Sequence, residues 1–181
     1  MFQELLEKIA LALDKGGIAY MLIGGQAVLL YGEPRLTKDI DIVIDAGPDR
    51  LAEIMNIVKV LGWKALVEEP ETFVRQTLVL PCLEPLSGIR VDLIFSFSTY
   101  ERQAMERVRR VPMGKAQVRF ASAEDLVIHK IIAGRPRDME DVTNVLIKNP
   151  SVDEAYIRLW LRQFEGVLSE PLLERFDKTW E

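Results

Sequence analysis

The chain has 181 residues and a mass of 20.6 kDa, the size of one compact domain with room for a small helical appendage. Its 49% apolar and 28% charged residues exclude a disordered chain, and a net charge of -5 excludes a bulk basic coat for nucleic acid. Cys82 is the only cysteine, which excludes an internal disulfide and a cysteine-based zinc site.

In chain order, Met1 to Glu7 lacks the basic and apolar regions of a secretory signal, and the nearly apolar stretch from Ile18 to Leu30 is too short to cross a bilayer. A cytoplasmic protein with no membrane partner is expected. Phe2, Leu5, Leu6, Ile9, Ala12 and Leu13 have helical spacing, and Gly16-Gly17 is placed to end that helix. Ile18 to Ile23 reads as a buried strand stopping at Gly24-Gly25, followed by a helical turn through Ala27 to Tyr31. Lys38 to Ile44 alternates, with Ile40, Ile42 and Ile44 facing one way and Asp39, Asp41 and Val43 the other. Pro48 opens a helix with an apolar stripe through Leu51, Ile54, Met55, Val58 and Leu61, closed by Gly62.

Extended runs are expected at Trp63 to Glu68, Thr72 to Leu80 and Ile89 to Phe95, the last two separated by a turn-rich Pro81 to Gly88. A helix near Thr99 to Val108 and a strand at Gln117 to Phe120 follow. Ser122 and Asp125 resemble a capping box opening a helix to Ala133, and Pro136 starts another that ends at Asn149-Pro150. Helical stretches around Tyr156 to Phe164 and Leu172 to Trp180 complete the chain. The expected class is α+β: a small mixed β-sheet with flanking helices over residues 1–121, then a C-terminal helical subdomain over 122–181.

Three features carry chemistry. Asp39 and Asp41 share one strand face, where two anions side by side need a cation between them, unless the pair is the solvated face of an edge strand. Gly24-Gly25, between a strand and a helical start, offers backbone N–H groups to a phosphate, or serves as an ordinary turn. Asp92, flanked by Val91, Leu93 and Ile94, needs a partner: a metal, or a base such as Arg90 or Arg75.

Taken together, Gly24-Gly25, then Asp39-Ile40-Asp41-Ile42, then Val91-Asp92-Leu93 resemble the nucleotidyltransferase superfamily typified by DNA polymerase beta. The resemblance covers residues 18 to 95. It implies that the glycine pair holds a triphosphate, that Asp39, Asp41 and Asp92 bind two Mg²⁺ ions, and that NTP is the donor. Arg35-Leu36-Thr37-Lys38, and Ser122 to Leu126 leading to Lys130, Arg135 and Asp138, resemble the bacterial abortive-infection and toxin-antitoxin branch. There Arg35 and Lys38 flank the nucleotide site and Lys130 lies near its phosphates. Many members of that branch have serine where this chain has Gly25.

Read from the charges, three acids and two Mg²⁺ suit in-line displacement of pyrophosphate by a hydroxyl, with Asp92 as candidate general base. Lys130 stabilises phosphate charge or snorkels from a mostly apolar helix. His129 reads as a packed histidine, and Arg135, Arg137 and Asp138 suit either the site border or the ion pairs of a helix corner. Residues 102–119 carry +5 while the rest carries -10, which fits an RNA acceptor patch or a solvated helix and hairpin. Trp160, Phe164, Phe176 and Trp180 read as core or oligomer interface. The leading expectation is an enzyme transferring a nucleoside monophosphate from NTP to a hydroxyl on RNA, a protein or a small molecule. The alternative is a catalytically silent, antitoxin-like interaction protein that keeps the fold and binds a partner such as a toxin.

Overall fold

A computed structural model describes residues 2–34 and 37–180. The elements in chain order are α1 (Phe2–Lys15), β1 (Tyr20–Ile23), α2 (Gly24–Tyr31), β2 (Asp39–Asp45), a 3-10 turn (Pro48–Arg50), α3 (Leu51–Val60), β3 (Lys64–Ala65), α4 (Pro70–Thr77) and β4 (Val79–Glu84). They continue as β5 (Ile89–Ser96), α5 (Thr99–Glu106), β6 (Arg109–Met113), β7 (Ala116–Phe120), α6 (Ala123–Ala133), α7 (Pro136–Lys148), α8 (Glu154–Leu168) and α9 (Leu172–Asp177). Chain contacts divide them into two compact units, Met1–Leu22 with Thr37–Phe120 and Ile23–Leu36 with Ala121–Glu181.

In the first unit the strands form one mixed sheet in the order β3-β4-β5-β2-β1-β7-β6. The strand at its centre is β2, which runs parallel to β5 with Ile40, Asp41 and Ile42 opposite Val91, Asp92 and Leu93. Period-2 alternation sends Ile40, Ile42 and Ile44 into full burial, together with Val91 and Leu93 of the neighbouring strand. Burying each such side chain is worth roughly 1.5–3 kcal/mol, so a one-residue slip of β2 would exchange three buried isoleucines for two carboxylates and Val43. Helix α1 buries Leu6, Ile9 and Leu13 and packs against β7, while Glu7 accepts a hydrogen bond from the Lys115 N–H at 2.7 Å.

Two expected strands change. Thr72 to Leu80 is mostly α4: Pro70 pre-sets the first helical turn, Arg75 pairs with Glu71 at 3.1 Å, and Leu78 at φ 57° closes the helix. Those local signals outweigh the strand preference of Thr72, Val74 and Thr77. The strand is Val79–Glu84: Val79 and Leu80 are extended as expected, and it continues through Pro81 to Glu84, into the stretch expected to be a turn. Pro81 is tolerated there because its carbonyl accepts from Leu66 N at 2.8 Å, just beyond the two-residue β3. Its missing N–H therefore falls where that ladder ends. The run at Trp63 to Glu68 contracts to β3, and β6 adds a strand within the basic segment, paired antiparallel with β7 around Gly114 at φ 58°.

The second unit is helical. Ser122 caps α6 by accepting from the Asp125 N–H at 3.1 Å, and its hydroxyl donates to Asp125 Oδ2 at 2.6 Å. Asp125 is fully buried and also accepts from the Tyr156 hydroxyl at 2.9 Å, tying α8 to the start of α6. Gly134 ends α6 at φ 66°, where Arg175 donates to the Ile131 carbonyl at 2.6 Å. The Tyr31 hydroxyl donates to Ala121 O at 2.9 Å and Asn149 donates to Tyr31 O at 2.8 Å, which places α2 in this unit. Trp160 and Phe176 are buried here, while Trp180 is 45% exposed. No helix among the described residues is long and apolar enough to cross a membrane.

Candidate active site

Asp39 and Asp41 alternate with buried isoleucines, so both project from the opposite face of β2. Residues paired across a parallel ladder project on the same side. Asp39 is paired with Arg90, and Asp41 with Asp92. The four side chains therefore occupy two same-face rungs of β2 and β5, separated by the Ile40–Val91 rung: three carboxylates and one guanidinium. This placement removes the edge-strand account of the paired acids, because β2 has neighbours on both sides.

The alternative partner for Asp92 is present. Arg90 Nε donates to Asp92 Oδ1 at 2.8 Å, with the arginine side chain 53% exposed and the aspartate 17%. The Arg90 guanidinium is held above its ordinary pKa first by this hydrogen bond; partial burial works against it, and attraction to Asp92, Asp39 and Asp41 adds to it. One cation thus feels all three acids. Beneath, Cys82 is fully buried, and its thiol is pushed up to about 12 by burial and then by the Asp92 charge.

Among the described residues, no three acid, histidine or cysteine side chains are gathered into a group that could hold a metal ion. The donor set is nevertheless of the kind Mg²⁺ takes: carboxylate oxygens on a rigid strand pair, partly open to solvent, with a cation already drawn to them. By residue type Asp39, Asp41 and Asp92 suit Mg²⁺, but their carboxylates are not gathered into one ion-holding group.

The other expected site residues lie elsewhere along the chain. Lys38 is exposed immediately before β2, and Arg35 falls outside the described residues. Gly24, at φ 62°, and Gly25 form the first turn of α2 in the second unit. The N-cap is Ile23, which has no hydrogen-bonding side chain with which to cap the first amides of α2. Gln26, in the same turn, is buried.

Lys130 also belongs to the second unit and does not snorkel. It is 4% exposed, and its Nζ donates to Asp138 Oδ1 and Asp141 Oδ2, both at 2.7 Å. Asp138 accepts a second cation, Arg135 Nε, at 2.6 Å. Burial alone would raise the Asp138 carboxyl, but the hydrogen bonds from Arg135 and Lys130 outweigh it and hold the group below the usual carboxylate range. The helix-corner ion pairs therefore form, with Asp141 as a member that the sequence reading passed over. The signal was there: Asp138 and Asp141 are three apart on α7 and share a face.

The basic segment is spread over α5, β6 and β7. Arg119 pairs with Asp14 at 2.5 Å and lies 5.0 Å above the Tyr20 ring, and Arg102 donates to Phe97 O at 2.9 Å. Arg109 and Arg110 are exposed on β6. A cavity of about 340 Å³ lies in the first unit, lined by Asp14, Tyr20, Met105, Arg110 and Arg119 among others.

Comparison with known proteins bears on the fold and the family. The solved structure of ANT(2")-Ia in complex with adenylyl-2"-tobramycin is similar over 92% of this chain and 98% of that one, at 17% identity and a TM-score of 0.61. An antigenic nucleotidyltransferase-like protein from Paracoccidioides brasiliensis matches over 94% and 91%, at 19% identity and a TM-score of 0.56. The lincosamide adenylyltransferase LnuA, bound to lincomycin, matches over 74% and 89%, at 16% identity and a TM-score of 0.51. These likenesses show the shared fold. No curated protein matches in sequence. The profile of the family described as nucleotidyltransferase of unknown function (DUF6036) matches residues 1–160, and the chain belongs to that family.

Proposed function

We propose that the chain is a metal-dependent nucleotidyltransferase that moves a nucleoside monophosphate from NTP to a hydroxyl, with a small molecule as the favoured acceptor. The observation that carries this reading is the register of β2 on β5, which sets Asp41 opposite Asp92 with Asp39 two residues away on the same face. Three carboxylates on one face of a central strand pair gain little for the fold and suit divalent cations. The acceptor class is supported by structural neighbours named for tobramycin and lincomycin complexes.

In this mechanism Asp39, Asp41 and Asp92 would hold two Mg²⁺ through their carboxylate oxygens. When bound, the ions neutralise triphosphate charge and increase the acidity of the attacking hydroxyl. Asp92 takes the hydroxyl proton as the acceptor oxygen bonds to the α-phosphorus. The bond to the bridging oxygen breaks, and pyrophosphate leaves with its electron pair. In the second unit the Gly24-Gly25 start of α2 would offer backbone donors to phosphate; in the first, Lys38 would add positive charge just before the acids. Lys130, already satisfied by two carboxylates, serves this reading by fixing the α6–α7 corner. The abortive-infection or toxin-antitoxin setting, with a protein partner, is part of the proposal through the Ser122 to Asp138 motif.

The test is incubation with each NTP labelled at the α-phosphate, with Mg²⁺, against aminoglycosides, lincosamides, RNA and cell lysate. Label should move to an acceptor and fail to move with Asp41→Asn. A second reading is favoured by the Arg90–Asp92 pair: a silent, antitoxin-like protein would keep that pair permanently closed. Folded protein that labels nothing with any donor would select it.

A further inference from the structure

We infer that Arg90 is a resident counter-ion of the acid site, standing in for the divalent cation and giving way when one binds. The inference rests on the proposed metal site and goes beyond it by assigning a competitor. Its basis is geometric: Arg90 precedes Asp92 by two residues on β5, so both side chains share a face, and its ladder partner on β2 is Asp39. Its Nε lies 2.8 Å from Asp92 Oδ1, and its guanidinium is attracted by all three acids.

Without a cation, three carboxylates on two rungs repel one another. Arg90 relieves that repulsion with one positive charge, where a bound divalent ion supplies two. The exchange is feasible because the arginine side chain is 53% exposed. A pair so open to solvent is worth little more than about 1 kcal/mol, whereas a permanently closed structural pair is expected to be buried. Release leaves the guanidinium in water or free to meet a phosphate, and it frees the Asp92 oxygen that metal coordination requires.

The closing experiment measures Mn²⁺ binding to the full chain by electron paramagnetic resonance, comparing the parent with Arg90→Gln and Arg90→Lys. Alongside, ¹⁵N-labelled parent is titrated with Mg²⁺ while the Arg90 Nε–H signal, assigned by its loss in Arg90→Lys, is followed. Arg90→Gln is expected to bind Mn²⁺ about three- to tenfold more tightly, the size of an exposed ion pair removed. It should also melt lower than the parent in chelator and recover with metal, and Mg²⁺ should shift the Arg90 signal. Equal Mn²⁺ affinity with an unmoved signal would overturn the counter-ion role and leave the metal site standing. Weaker binding by Arg90→Gln would make Arg90 a support for Asp92 instead. No Mn²⁺ binding by any variant, each shown folded by circular dichroism, would remove the metal site and this inference together.

Discussion

Asp41 and Asp92 face each other across one rung, and each substitution there separates chemistry from folding. Asp92→Asn keeps the side-chain shape and removes the proposed proton acceptor, so kcat should fall about 10²–10⁴-fold with the melting temperature nearly unchanged. Asp41→Asn should abolish transfer, and full activity in either variant would remove that residue from the mechanism. Cys82, behind the acids, is expected to resist iodoacetamide at pH 8 in the native protein and to react fully in denaturant, because its thiol is buried and pushed up to about 12. Rapid native labelling would contradict that burial. The sequence made the acids legible because alternation with Ile40, Ile42 and Ile44 fixes their face. It left the choice between metal and Arg90 as partner open, since both satisfy the same carboxylate. Geometry shows the arginine bonded to Asp92 and paired in register with Asp39.

Among the elements, the α6–α7 corner depends most on charge. Lys130→Met should cost about 3–5 kcal/mol in chemical denaturation, because it strands two buried carboxylates. Asp138 adds a pH dependence. Its carboxyl is held below its ordinary value, so its contribution is complete above the unfolded-state pKa, about 4, and is lost as pH falls through the lower folded value. Stability of the parent should therefore drop more steeply below about pH 4 than that of Asp138→Asn, as read by urea midpoints across pH 2.5 to 6. Parallel profiles would show that the carboxyl is not depressed. At the other helix start, Gly25→Val should weaken NTP binding in calorimetry by at least the roughly 1–3 kcal/mol carried by hydrogen bonds to a charged group. Unchanged binding in a folded variant would place the phosphates elsewhere. Legibility differs between these elements for physical reasons. The cap at Ser122 is a local signal, and α6 begins where the sequence says. Strand β4 is a tertiary outcome: Pro81 reads as a breaker until β3 is seen to be only two residues long.

For the whole molecule, the class and the order of most elements follow from periodicity, but the sheet order does not. That β5 lies directly against β2, with β4 and β3 outside it, depends on pairing between residues about fifty apart. The motif at Asp92 pointed to it through resemblance and not through local pattern. The family match covers residues 1–160 and the fold likenesses extend over most of the chain, which makes the β2–β5 acid face the place to test activity. The most direct measurement is a crystal structure with Mn²⁺ and a nonhydrolysable NTP, read by anomalous scattering. The account predicts Mn²⁺ about 2.0–2.3 Å from Asp41 and Asp92 oxygens, with Asp39 within reach of an ion and Arg90 turned away. Anomalous peaks only at other sites, with Arg90 still bonded to Asp92, would contradict it.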